Sequence, residues 1–221
     1  MIQVTGFIRP LLAAGLALLV FLASGFAQSG FGQTKSHEPA WGATQAKVIE
    51  MESKPPVSVR ESDGEAILEY DSVTIADLDC RLIYFFANDK LVRAKYIIHP
   101  THANLNDFIG DFRAVDPMLR DRYGKPANER TFWENDPFQD EGVSYLEQDR
   151  ALPLDILPSD KFAGIEVALG YLKLYSQWIT PRTKVVHALT GADHRITHQI
   201  EYRSAELEEL ENTVRHQSAP Q

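Results

Sequence analysis

Apolar and polar residues alternate over three successive stretches in the first half of the chain: "AILEYDSV" (66–73), "LDCRLIYFFA" (78–87) and "KLVRAKYIIH" (90–99). A period of two marks a strand, so the pattern predicts three of them joined by turns. "AND" (87–89) suits a tight hairpin turn, because Asn and Asp tolerate positive φ. Ahead of these strands, "WGATQAKVIEMESKPP" predicts a short helix. Thr44 caps it, Val48 and Met51 lie on its buried side, and Pro55-Pro56 end it.

The same order then recurs. In "LNDFIGDFRAVDPMLRDRYGKP", Phe108, Phe112, Val115, Leu119 and Tyr123 form one helical stripe. Asn104 or Asn106 is placed to cap this helix, Pro117 to kink or split it, and Gly124 with Pro126 to stop it. "RTFW", "LKLYSQWIT", "TKVVHALT" and "RITHQIEY" follow as strands, with "TGAD" (190–193) as the second hairpin turn. "SAELEELEN" closes with a short acidic helix, Ser204 at its cap and Glu206 near its positive end. Laying hairpin 81–98 over 185–202 sets Ile83 and Phe85 on His187 and Leu189. It also sets Val92, Ala94, Tyr96 and Ile98 on Ile196, His198, Ile200 and Tyr202. The reading is an α+β fold: two αβββ units (41–100 and 104–203) in one domain (41–214), forming a mainly antiparallel sheet with helices packed on one face.

Between them, 134–160 holds eight carboxylates, one cation and three prolines, the composition of a long surface insertion. The first 27 residues have the form of a secretory signal. Arg9 precedes an apolar run at 11–23, and Gly25 and Ala27 stand at −3 and −1 of a cleavage point. The expectation is a periplasmic or secreted protein with no membrane span after cleavage, the run being short of the roughly 20 residues a span needs. Residues 28–40 form a Gly/Ser/Gln-rich flexible leader, and 215–221 a disordered tail.

Charge narrows the partners. Net charge is −9, and no basic stripe appears, which argues against nucleic acid. Cys80 is the single cysteine, so no disulfide closes within the chain, and it reads as a buried thiol.

The first hairpin is apolar on both sides. With its centre between Asn88 and Asp89, Ile83, Phe85, Val92, Ala94 and Tyr96 share the side expected to meet the helices. Leu82, Tyr84, Phe86, Leu91, Arg93 and Lys95 share the other. Aromatic rings with Arg and Lys have the composition of a contact surface. Tyr84, Phe86, Arg93 and Lys95 are therefore the candidate binding surface, extended by Tyr175 and Trp178. His187, His194 and His198 share one side of the second hairpin, where imidazoles on adjacent strands could hold Zn or Cu. That side also carries Val185, Leu189, Ile196, Ile200 and Tyr202, which favours core or rim histidines. Asp136, Asp140 and Glu141 match no calcium-loop spacing. No nucleophile elbow, zincin, paired-cysteine or phosphate-loop pattern occurs. The leading expectation is a non-enzymatic binding or envelope-associated protein with a protein partner and no cofactor. The alternative is a metal protein through the three histidines.

"WGATQAKV" is similar to the Trp-Gly-x-[Ser/Thr]-x-x-x-Val opening of uncharacterised secreted bacterial proteins, and "DKLVRAKY", "RYGKP" and "WITPRT" add to the likeness. The helix-then-hairpin unit more distantly resembles the SmpA/OmlA outer-membrane assembly lipoproteins and the tandem β-lactamase inhibitor protein. The first likeness spans most of 41–212, the second about half the chain. They imply a binding or scaffolding role and bring no catalytic residue with them.

Overall fold

The computed structural model describes residues 39–133, 151–152 and 162–218. The proposed signal, the leader and all of the acidic insertion except Ala151–Leu152 lie outside the described residues, as do Asp136, Asp140 and Glu141.

Helix α1 (Gln45–Met51) starts where Thr44 accepts a hydrogen bond from the Lys47 amide at 3.2 Å. Val48 is its buried residue; Met51, expected inward, is exposed, because the helix ends there. Strands β1 (Ser58–Ser62), β2 (Glu65–Ile75), β3 (Leu78–Ala87) and β4 (Lys90–Ile98) follow. Helix α2 (Asp107–Tyr123) buries Ile109, Phe112, Val115 and Leu119 and ends at Gly124, whose φ is +76°. Pro117 does not split it. The proline sits on the solvent side, where water can satisfy the carbonyl left without its amide partner. Asn106 stands at the N-cap of α2, but its carboxamide accepts from the Gly164 amide at 2.7 Å; the Asn104 carboxamide caps the turn leading into the helix, accepting from the Asn106 amide at 3.1 Å. Strands β5 (Asn128–Trp133) and β6 (Ala151–Leu152), helix α3 (Ala163–Leu169), strands β7 (Leu172–Ile179), β8 (Thr183–Ala192) and β9 (Arg195–Ser204), and helix α4 (Glu208–Ser218) complete the order.

The nine strands of the described residues form one antiparallel sheet, ordered β1-β2-β3-β4-β9-β8-β7-β5-β6. Two runs of four strands, β1–β4 and β5–β7–β8–β9, meet at the β4–β9 pair and mirror each other in order. The first unit thus gains β1 over the expected αβββ, and the second has β5, the strand read in "RTFW", and the two-residue β6 besides β7–β9. The hairpin turns are two residues long, Asn88–Asp89 and Asp193–His194, all four at positive φ. The second begins at the last residue of the expected "TGAD".

Helices α1 to α3 cover one face of the sheet. Val48, Val115 and Leu119 pack there with Leu68, Leu82, Phe86, Tyr96, Trp178, Ile200 and Tyr202. Ala163 and Val167 of α3 pack with Phe112, Leu174 and Leu189 beside them. Helix α4 crosses to the opposite face, where Val214 meets Ala87 and Val92. It begins later than expected and runs through most of the proposed tail, held by buried Val214 and by Arg215–Glu211 at 2.6 Å. Ser204 caps the turn before it, accepting from the Leu207 amide at 3.2 Å.

Candidate functional site

The local geometry of the first hairpin decides which side chains are available. Phe86 pairs with Leu91, but Phe85 pairs with Arg93, so Val92 is an extra residue, a β-bulge. A bulge shifts the alternation of one strand by one position. Leu82, Tyr84, Phe86, Leu91, Ala94 and Tyr96 therefore share the helix-covered face. Ile83, Phe85, Arg93, Lys95 and Ile97 share the other. This reverses the expected assignment for β3 and for Leu91 and Val92 of β4, while Arg93 to Tyr96 keep theirs. The proposed overlay of the two hairpins fails for the same reason, since His187 and Leu189 lie on the covered face and Ile83 and Phe85 do not.

The face opposite α1–α3 is covered by α4 at one side and is otherwise without a helix among the described residues. Its rungs follow from the register. One runs Glu69, Ile83, Lys95, Glu201, Val186, Gln177, Asn128. The next runs Arg81, Ile97, Gln199, Ala188, Tyr175, Arg130. Ile67, Phe85, Ile97, Val186 and Tyr175 are half-buried here. The strands place Arg60, Arg81, Arg93, Lys95, Arg130, Lys173, Lys184 and Arg203 on this face against Glu65, Glu69, Asp71, Asp79 and Glu201, and α4 brings Glu208 and Glu211 to it. Cations thus outnumber carboxylates in a chain of net charge −9.

Arg93 and Glu201 organise its centre. The Arg93 guanidinium lies 3.8 Å from the Phe85 ring centroid, a cation–π contact. Its Nε is 2.8 Å from Glu211 of α4, and Lys184 reaches Glu208 at 2.5 Å, so two ion pairs moor α4. Glu201 accepts from Lys95 at 2.9 Å and from Arg203 at 2.5 Å. Burial pushes its carboxyl upward, but these two hydrogen bonds outweigh burial and hold it below the usual range. Burial lowers Arg93, against the pull of Glu211 and Glu201, and a guanidinium stays ionised regardless.

The six residues proposed as one binding surface therefore divide. Arg93, Lys95 and Tyr175 are on the open face. Tyr84 is half-buried on the covered face and donates to Glu52 at 2.6 Å. Phe86 and Trp178 are core residues there, and the Trp178 indole donates to the Gly124 carbonyl at 2.8 Å. Tyr175 and Trp178 are three apart in one strand, which puts them on opposite faces whatever the register. The open-face residues that the sequence pattern did not single out are Ile83 and Phe85, exchanged by the bulge, and Ile97 and Glu201. Gln199 and Val186, which pair with them, carried no chemical signal.

Of the three histidines, the structure brings two together. His187 and His198 are buried on the covered face, their Nε2 atoms 2.8 Å apart. Phe112 stacks on His187 at 3.9 Å and 9°. His194 occupies the exposed β8–β9 turn and does not join them. An N–N distance of 2.8 Å is that of a hydrogen bond between imidazoles. Among the described residues no group of three or more His, Cys, Asp or Glu is arranged to hold a metal ion. Burial lowers both rings, His198 to about 4; His187 is lowered further by its neighbour. Cys80 is buried, donates to the Val73 carbonyl at 3.2 Å, and burial pushes its thiol up to about 12, so it is inert at neutral pH.

Fold and site together define an α+β protein with one helix-covered sheet face and one charged, partly open face. Comparison with protein-family models, with curated proteins and with solved structures gives no match. Among the described residues no helix is long and apolar enough to cross a membrane.

Proposed function

We propose that this is a non-enzymatic binding protein of the cell envelope or its exterior, which docks an acidic polypeptide partner on the open face of its sheet. The observation that carries the reading is the gathering of cations there in an otherwise acidic chain, interleaved with Ile67, Phe85, Ile97, Val186 and Tyr175. Arg, Tyr and aliphatic side chains in contact are the composition of interface centres, and opposite charge speeds encounter. The signal-like first 27 residues support the location.

A photo-crosslinking residue at Ile97, with one at Asp121 on α2 as control, identifies the partner in the native envelope. Its affinity is then measured for Ile97→Asp with Gln199→Glu, which adds two carboxylates to adjacent positions of one rung. Affinity should fall at least tenfold, and the wild-type complex should weaken with salt. A partner that is basic, or bound equally by the double variant, removes this reading.

A further inference from the structure

We infer that the His187–His198 pair is an acid-sensitive latch that seats α2 on the second half of the sheet. It lies on the face opposite the proposed docking surface and does not depend on it. The geometry fixes its chemistry. Two nitrogens at 2.8 Å need one donor and one acceptor. One imidazole therefore carries its proton on Nε2 and leaves Nδ1 bare; the other accepts at Nε2 and carries its proton on Nδ1. Neither Nδ1 has a hydrogen-bond partner, and both rings are buried. Unsatisfied buried polar atoms are uncommon and call for a reason.

The surroundings are chiefly apolar. β4 contributes Ile98 beside His198, and β8 and β9 contribute Leu189 and Ile200. β7 sets Ser176 opposite His187, and α2 sets Phe112 on its ring. Titratable groups on this side include Asp111 on α2, paired with His102 at 2.6 Å, and Asp116 on α2, Glu129 on β5, Glu166 on α3, Tyr96 on β4 and Tyr202 on β9; the cations beside Phe112 are Arg113 and Arg120. Asp116 is already engaged by Ser176, at 3.3 Å, and by Arg120, which also holds Glu129. A first proton on the pair therefore arrives without a free counter-charge beside it, although the hydrogen bond survives. A second proton leaves two Nε2–H groups facing each other, so the bond breaks and the rings repel. Phe112 is the α2 side chain stacked against the pair, so α2 is the element that this repulsion dislodges.

The test uses the whole chain. Long-range nitrogen–proton NMR of the imidazoles reads tautomer and protonation from pH 7.5 to 3.5, and amide exchange reads protection of 107–123 against 65–87. The expected result is opposite tautomers at pH 7, no titration of either ring above pH 5, and protection of α2 lost at least tenfold before that of β2 and β3. His198→Gln keeps a hydrogen-bond donor and removes one titrating group, so α2 release should move to lower pH. Like tautomers, a ring titrating near 6.5, simultaneous loss of both regions, or unchanged release in the variant would each overturn the latch.

Discussion

Deleting Val92 is a severe change on paper, since it removes a buried residue from inside a central strand. The register argues otherwise. Phe86 pairs with Leu91 and Phe85 with Arg93, and Val92 has no place of its own between them. Without it, Leu91 and Arg93 become neighbours of opposite facing, and every later pair in β4 keeps its partner. What is lost is the Val92 side chain, 2% exposed against Ala87 and Val214. Full burial of a valine is worth about 1.5–3 kcal/mol, and restored ladder bonding returns up to about 1 kcal/mol. The deletion should therefore cost about 1–3 kcal/mol and loosen α4, with amide NMR showing the rest of the sheet intact. Inserting one alanine between Arg93 and Ala94 should do the opposite. It turns Lys95 under the helices and Tyr96 and Ile98 outward, a loss of about 5 kcal/mol or more from burial alone. Urea denaturation followed by circular dichroism compares the two. If the deletion unfolds the protein while the insertion is tolerated, the account of both faces is wrong.

Three further outcomes follow. In Gly191→Ala the new Cβ would meet the Val167 carbonyl oxygen at 1.9 Å and the Ala168 Cα at 2.9 Å. These are backbone atoms that no rotamer relieves, so a loss of about 3 kcal/mol or more in urea unfolding is expected. Glu201→Gln removes the shared partner of Lys95 and Arg203 and leaves Arg93 with Glu211; partial exposure of the cations discounts the effect to about 1–3 kcal/mol, read by the same assay. For His198, the folded value near 4 lies below the ordinary 6.5, so the unfolded chain takes up its proton first. Its contribution is whole above pH 6.5 and falls by about 3 kcal/mol as pH drops to 4; a flat stability profile across that interval contradicts the buried neutral pair.

Alternation made β2, β3, β4, β7, β8 and β9 legible, because each carries a strong apolar period of two. It did not reveal β1, whose "SVRES" is an edge with four of its five residues exposed and little to bury. Helix α3 was missed because seven residues with no side-chain cap give almost no local signal. Two glycines explain it after the fact. A Cβ at Gly164 would meet the Leu105 carbonyl carbon at 2.3 Å, and Gly191 admits the α3 backbone against β8. Within "TGAD" Gly191 has the sequence context of a turn glycine, whereas its role is close approach, and the turn falls to Asp193 and His194. The site was harder to read than the fold. One extra residue in β4 exchanged the apparent inner and outer sets of a strand, and local composition cannot announce a bulge whose reason lies in α4 packing on Val92.

The two units look like repeats, yet neither should stand alone. α1 is seven residues with one buried side chain, Val48, while the sheet face of its own unit carries Leu68, Tyr70, Leu82, Phe86, Tyr96 and Ile98. Much of the cover comes from the other unit: Val115 and Leu119 of α2, with Trp178, Val185, Ile200 and Tyr202 continuing the same cluster. Trp41 donates across the boundary to Thr183 at 2.8 Å, and β4 pairs with β9 from Arg93 to Ile98. Residues 39–100 alone would lose that cover and expose β4 as an unpaired apolar edge. The fragment should therefore show collapsed amide dispersion in NMR and no cooperative urea transition. Adding residues 101–218 as a separate chain should restore both, because the missing surface is supplied in place. A fragment that folds cooperatively by itself would mean that the mirrored strand order reflects two independent modules, and that the β4–β9 junction contributes little to holding the sheet together.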